Sequence, residues 1–152
     1  MKEESSVKQV AAPVERVYAT LSNLENLRPL IERMQNDEAL REKIREAGHE
    51  DAINQLQELQ LTADSICIPA PMVGNISMKI IEREEQKCIK FETEQSPIKA
   101  NFWIQTLPVT AETSKMRLTI DADIPFFLKG MIGNKLKDGI EKVADALAMI
   151  QY

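Results

Sequence analysis

PFFLKGMIGNKLKDGIEKVADALAMI, residues 125–150, decides the fold. It reads as one long helix at the end of the chain, yet it carries Gly130, Gly133 and Gly139, three of the five glycines. A glycine inside a helix costs roughly 1 kcal/mol relative to alanine. Two situations can offset that cost: a neighbour pressing close on the helix, or a cavity that a side chain would otherwise fill. Ile132, Leu136, Ile140, Val143, Leu147 and Ile150 recur at spacings of 4, 4, 3, 4 and 3, which is one face of a helix. Asn134, Lys137, Asp138, Glu141 and Asp145 take the far side. At about 100° per residue, Gly133 and Gly139 fall roughly 60° to either side of the stripe centre and border the apolar face. Gly130 falls on the polar side, as in a frayed or kinked helix start.

Such an apolar stripe needs a partner surface, and the sequence before it supplies a sheet. Leu59–Leu61 and Ile66–Ile68 flank the turn signal TADS (62–65), and PAPMVGN (69–75) must be a loop because proline is poorly tolerated in a central strand. Strands follow at roughly 75–83, 87–94, 99–107 and 114–123, joined by short links, which predicts an antiparallel meander. Alternation sends Ile76, Met78, Ile80, Ile89, Phe91, Thr93, Met116, Leu118, Ile120 and Ala122 to one face. Lys79, Lys90, Glu92, Glu94, Arg117, Thr119, Asp121 and Asp123 go to the other. In ANFWIQTLP, Phe102 and Ile104 are set inward and Trp103 and Gln105 outward; a bulge would reverse that.

Towards the front, residues 4–11 read as a strand and AAPVERVYATLSNLENL begins a helix, with Pro13 in its first position. Val14, Val17, Tyr18 and Leu21 form its apolar side. Asn23 breaks it, and Leu24, Leu27, Ile31 and Met34 mark a second short helix with Pro29 at its first turn or at a kink. Residues 37–56 form a charged helical insertion, with Asp37 as N-cap, Gly48 as C′ residue and thin stripes of Leu40 and Ile44, then Ile53 and Leu56. The predicted order is strand, two helices, helical insertion, six strands, long helix: an α+β class chain of 152 residues in one domain.

The formal net charge is −5, and Lys and Arg are scattered, which weighs against a nucleic-acid or anionic-membrane partner. No stretch approaches 18 apolar residues, so no integral membrane contact is expected. MKEESSVKQV has no apolar signal region, so the expected location is cytoplasmic. Cys67 and Cys88 read as buried free thiols, although a disulfide stays open on geometry. His49 is the only histidine and lies in a charged turn, so no metal site and no cofactor is assigned. Neither GxSxG nor a glycine-rich phosphate loop occurs. The inward face offers only Tyr18 and Thr93 as polar groups, so no catalytic residue is assigned. The carboxylate pairs Glu92/Glu94 and Asp121/Asp123 read as outer surface.

SVKQVAAPVERVYATLSNLENL (6–27), MVGNISMKIIERE (72–84), CIKFETEQSP (88–97), NFWIQTLPV (101–109) and IPFFLKGMI…GIEKVADALAMI (124–150) together resemble the START-like, polyketide-cyclase-like superfamily (SRPBCC), and small bacterial members of it in particular. The 37–56 insertion is longer than the loop usual there. The resemblance implies a helix-grip fold: a curved seven-stranded antiparallel sheet wrapped around the long C-terminal helix, enclosing an apolar cavity that in the superfamily often holds lipids, sterols or polyketides. The residues expected to line it are Tyr18, Met78, Ile80, Phe91, Thr93, Phe102, Ile104, Met116, Leu118, Ile120, Ile132, Gly133, Leu136, Gly139 and Ile140. A dry cavity of ~300 Å³ costs roughly 7 kcal/mol at about 24 cal/mol per Å³, against a whole-domain stability of about 5–15 kcal/mol. Such a space is therefore small and collapsed, open to water, or occupied. The expected function is non-enzymatic carriage or sensing of a small hydrophobic ligand of the lipid, polyketide or isoprenoid class. The alternatives are a cyclase- or aromatase-type enzyme helped by Tyr18 and Thr93, or an interaction module that uses 37–56, a possible lid, to meet a protein partner or a second copy as a homodimer.

Overall fold

A computed structural model describes residues 1–46, 48, 60–68, 76–94, 99–150 and 152, with side chains except those of Met34, Gln35, Ile44, Ile68, Ile76 and residues 132–134. The loop 69–75, the link 95–97 and, in and after the insertion, residues 47 and 49–59 lie outside the described residues. The strands are β1 (Lys2–Glu4), β2 (Lys8–Val10), β3 (Gln60–Leu61), β4 (Ser65–Ile68), β5 (Ile76–Glu84), β6 (Cys88–Glu94), β7 (Lys99–Pro108) and β8 (Ser114–Asp123). The described α-helices are α1 (Val14–Leu21), α2 (Leu27–Asn36), α3 (Glu38–Glu46) and α4 (Lys129–Met149). All strand pairs are antiparallel, in the order β1–β8–β7–β6–β5–β4–β3, with β2 also on β8.

The curved sheet has eight strands rather than seven because the first strand is broken. Between Glu4↔Thr119 and Lys8↔Met116, three residues of the edge strand are set against two of β8. Ser5 bridges the slip. Its N–H donates to the Leu118 carbonyl at 2.8 Å, and its hydroxyl accepts the Leu118 N–H at 2.9 Å. A side-chain oxygen thus takes the place of a ladder carbonyl, as a bulge requires if no buried N–H is to go unpaired.

A second bulge, in β5, has a different effect. The register shifts between Ile80 and Glu82, and Arg83 falls opposite the inward residue Ile89. Its guanidinium Nε donates to the Ser22 carbonyl at 2.9 Å, at the C-terminus of α1, and its NH2 group pairs with Asp64. A cation there also suits the negative end of the helix dipole. Leu24 N–H to the Ala63 carbonyl (3.0 Å) and Arg28 to the Leu61 carbonyl (2.6 Å) complete the attachment of the α1–α2 corner to the β3–β4 hairpin.

Helix ends follow local chemistry. Pro13 is the residue before α1 rather than its first residue; at ψ 147 it is extended, and its carbonyl accepts the first helical N–H groups. Asn23 caps the 3₁₀ turn Leu24–Asn26, Asp37 accepts the Leu40 N–H at 3.1 Å, and Gly48 adopts φ +81 with its N–H on the Arg45 carbonyl.

Helix α4 follows a 3₁₀ turn, Phe126–Leu128, and packs against β8, β1 and β2. Ile140, Ala144, Leu147 and Ile150 are buried with Val10, Met116 and Leu118 in one core that also takes Val17, Leu21, Leu24, Leu27 and Ile31 of the front helices. Val143 departs from the expected stripe: it is 37% exposed, and Ala144 is fully buried in its place. A small residue at the contact brings the helix close to the sheet edge. That rotation also carries Glu141 and Asp145 out of the fully wet position expected of them. Lys8 on β2 reaches Glu141 at 2.8 Å and Asp145 at 2.7 Å, and Ser6 donates from both its N–H and its hydroxyl to Glu141. These contacts raise the Lys8 pKa, with the hydrogen bond to Asp145 as the largest cause, and lower that of Glu141, mainly through Lys8.

Candidate functional site

The pairing registers give the sheet two distinct ends. At one, the turns after β3, β5 and β7 meet α1 and α2; this is the capped end. At the other lie Met1, the last residues of β4, β6 and β8 and the first of β5 and β7, where α4 begins; this is the open end. Along the inner face, burial changes between them. Ile89, Ile104, Met116 and Leu118 are buried near the capped end. Thr93, Ala100, Phe102 and Ile120, on the same face towards the open end, are only half-buried. On α4, Leu136 and Gly139 are half-buried too, next to buried Ile140. The inner face therefore offers accessible apolar surface in its open half. Phe102 stands edge-on to Phe91 there, ring centroids 5.7 Å apart at 63°. Met78, Ile80 and Phe91 form the buried floor.

Among the described residues a Cβ on Gly139 would meet no atom within 4 Å, and the same holds at Gly130, which is exposed. Crowding does not account for either glycine; there is space beside both. The side-chain surroundings of Ile132 and Gly133 lie outside the described residues.

The two inward polar residues are not brought together. Thr93 uses its hydroxyl to accept the Ala100 N–H at 3.0 Å, closing the start of the β6–β7 pairing. Tyr18 lies at the capped end. Its buried hydroxyl has no hydrogen-bond partner among the described residues, and burial raises its pKa, with smaller influences from Arg83, Glu85, Cys88 and Glu84. From Cys88 to Thr93 is five residues of β6, or ~17 Å. Thr93 is committed to the strand pairing, and Cys88, one of the groups that influence Tyr18, stands at the opposite end of β6.

Trp103 is on the outer face, with the Lys90 ammonium 5.5 Å from its ring centroid. Thr119, paired with Trp103, is buried although it too is on that face. Gln105 accepts from Arg117 at 2.9 Å, and Arg117 pairs with Glu4 at 3.2 Å. Register also produces a feature that residue spacing did not reveal. Glu92, Asn101 and Asp121 stand in one row across β6, β7 and β8. With Met1, Thr93, Lys99, Ala100, Ala122 and Asp123 they line a groove of about 470 Å³ at the open end. Among the described residues no group of three or more His, Cys, Asp or Glu side chains could hold a metal ion. Cys67 is opposite Ser77 and Cys88 opposite Glu84, seven residues apart on β5, so ~23 Å rules out a disulfide between them. Both are free and only half-buried, and burial raises the Cys88 pKa.

No protein-family model matches the chain, and no curated protein matches its sequence. Solved structures do match its fold. Truncated norcoclaurine synthase from Thalictrum flavum superposes with a TM-score of 0.62 at 11% identity, covering 97% of this chain and 92% of that one. TTHA0849 from Thermus thermophilus gives 0.59 at 14% identity, with 97% and 94% covered. XoxI from Bacillus cereus gives 0.55 at 11% identity, with 96% and 94% covered. These likenesses define the fold class as helix-grip α+β. Among the described residues no helix is long and apolar enough to cross a membrane.

Proposed function

We propose that the chain is a single START-like domain of the SRPBCC superfamily, acting in the cytoplasm as a non-enzymatic carrier or sensor of a small hydrophobic ligand. The observation that carries this reading is the uneven burial of the inner face. Half-buried Phe102, Ile120 and Leu136 keep apolar surface accessible where a stability-driven core would bury it. Gly139 leaves room beside them. The ligand would sit between the open half of the sheet and α4, over Met78, Ile80 and Phe91, with Thr93 and Ile140 at its borders. Ile132 and Gly133 are assigned to the same wall from their helical spacing. Ile104, Met116 and Leu118 would support the site from below. Tyr18, at the far end, would not touch the ligand. Norcoclaurine synthase from Thalictrum flavum, which shares the fold, has been solved with dopamine and hydroxybenzaldehyde, two small aromatic molecules.

Native mass spectrometry of freshly purified protein, paired with solvent extraction, tests the proposal. A reproducible extra mass that is released on denaturation and recovered as a lipophilic compound is the expected result. A clean ligand-free mass, with no uptake of added fatty acids or isoprenoids, would overturn it.

A further inference from the structure

Exposed apolar residues gather where the last helix begins. Phe126 and Phe127 are 87% and 77% exposed, Met131 is 60% exposed, and Pro125 beside them is exposed too. The two phenylalanines and the methionine present on the order of 400 Å² of apolar surface, the size of a functional patch rather than of scattered surface residues. Gly130 lies between them in sequence, and among the described residues a Cβ there would meet no atom within 4 Å. Another backbone can therefore come close at that point. The charges around the patch are of both signs. Lys129 and Lys137 are exposed on α4, and so are Asp138 on the same helix and Asp121 and Asp123 at the end of β8. The start of α4 also lacks a counter-charge of its own. No acidic residue lies in its first turn, no side chain caps it at Leu128, and Lys129 stands at the positive end of the helix dipole.

We propose that two copies of this chain associate through this corner, with Phe126 and Phe127 of each packed against those of the other inside a rim of paired charges. Charge selects this occupant. A patch edged by both signs does not select a partner of one strong sign. It is complementary to itself, because in a two-fold contact the same surface meets itself reversed, and each lysine can face a carboxylate of the second copy. A carboxylate reaching across would also supply the counter-charge that the first turn of α4 leaves out. Area agrees with a weak, reversible dimer. An apolar centre of ~400 Å², widened by Pro125, Gly130 and the charged rim, approaches the ~800 Å² that each partner contributes to a standard interface. Position gives the contact a consequence. Asp123, the end of β8, pairs with Lys99 at the open end of the sheet, and Phe126 follows three residues later. The open ends of the two copies would lie next to one another, and each would shield the accessible inner face of the other from water. The inference goes beyond ligand carriage and holds for the ligand-free protein.

The test is sedimentation equilibrium of the full, ligand-free chain. The expected result is a reversible monomer–dimer equilibrium with a dissociation constant on the order of 10 μM. Phe126→Ser with Phe127→Ser should weaken it at least ~100-fold, since an aromatic side chain at the centre of an interface contributes roughly 30-fold or more. Charge gives a second readout. Lys129→Glu with Lys137→Glu turns the rim acidic, and Asp123→Lys with Asp138→Lys turns it basic. Each variant alone should self-associate at least ~10-fold more weakly, and an equal mixture of the two should form a dimer with one copy of each. Leu107→Ser with Val109→Ser removes exposed apolar groups at the capped end and should leave the equilibrium unchanged. A wild-type chain that stays monomeric up to ~200 μM would overturn the proposal and leave the patch to a different partner. So would a dimer that survives the phenylalanine substitutions with the fold intact by circular dichroism, or charge variants that do not pair when mixed. Ligand carriage is read from a small mass released on denaturation and self-association from the mass of the protein, so the two can fail independently.

Discussion

The two ends of one sheet are built for opposite purposes. At the capped end, Ile89 and Leu118 have no exposed surface, and Arg83, Arg28 and Leu24 tie the α1–α2 corner to the β3–β4 hairpin. At the open end the same inward strand face reaches Thr93, Phe102 and Ile120, which stay half-buried, and the covering helix begins with exposed phenylalanines. In β6, β7 and β8 the alternation pattern is the same at both ends. What differs is which element covers the face, and that is a property of topology rather than of any one strand.

The contrast can be broken first by truncation. Leu118→Ala should cost about 3–4 kcal/mol in chemical denaturation, because a fully buried leucine leaves a cavity that the sheet cannot close. Ile120→Ala, two residues along on the same face, should cost about half as much. Equal losses would mean that the open end is packed like the capped end.

The clamp between α4 and the first strand comes next. Glu141→Gln should lower stability by about 1 kcal/mol, the scale of a charge-assisted contact partly screened by water. Its pH dependence has a definite sign. The Glu141 carboxyl is held below its ordinary value of 4.5, so its contribution is present above that pH and lost as pH falls through the lowered value. Lys8 is raised above 10.5, so its contribution is full below that pH and lost as pH rises through the raised value. Thermal melts of wild type and Glu141→Gln should differ between about pH 5 and pH 10 and converge in acid. A constant difference at every pH would assign the loss to packing.

The smallest effect sharpens the comparison most. Gly139→Ala should stabilise by up to about 1 kcal/mol, since alanine favours the helix and its methyl meets no neighbour. Destabilisation would show that the helix is crowded at that point. Gly139→Leu should leave the fold intact and weaken ligand retention.

Most of the architecture was legible in sequence because period-2 alternation continues through β6, β7 and β8 and through β5 as far as Ile80, where a bulge breaks it, and each turn is punctuated by polar residues. The break in the first strand was not, because the Ser5 hydroxyl imitates a ladder carbonyl and leaves no mark in hydrophobic pattern. Val143 was set on the core stripe by spacing; burial of Ala144 instead depends on how closely α4 approaches the sheet edge. Strand faces assigned from alternation brought the apolar inner residues together. Where Tyr18 and Thr93 lie along the sheet was not legible, because parity places residues on a face without placing them along it. The row Glu92–Asn101–Asp121 is invisible without register.

The most direct test is an amide chemical-shift titration of the ligand-free chain with the lipophilic probe anilinonaphthalene sulfonate. Saturable shifts at Thr93, Ala100, Phe102, Ile120, Leu136 and Gly139, with Ile89, Met116 and Leu118 unmoved, are the expected result. Shifts confined to the outer face around Trp103, or no saturable change at all, would contradict a ligand site at the open end.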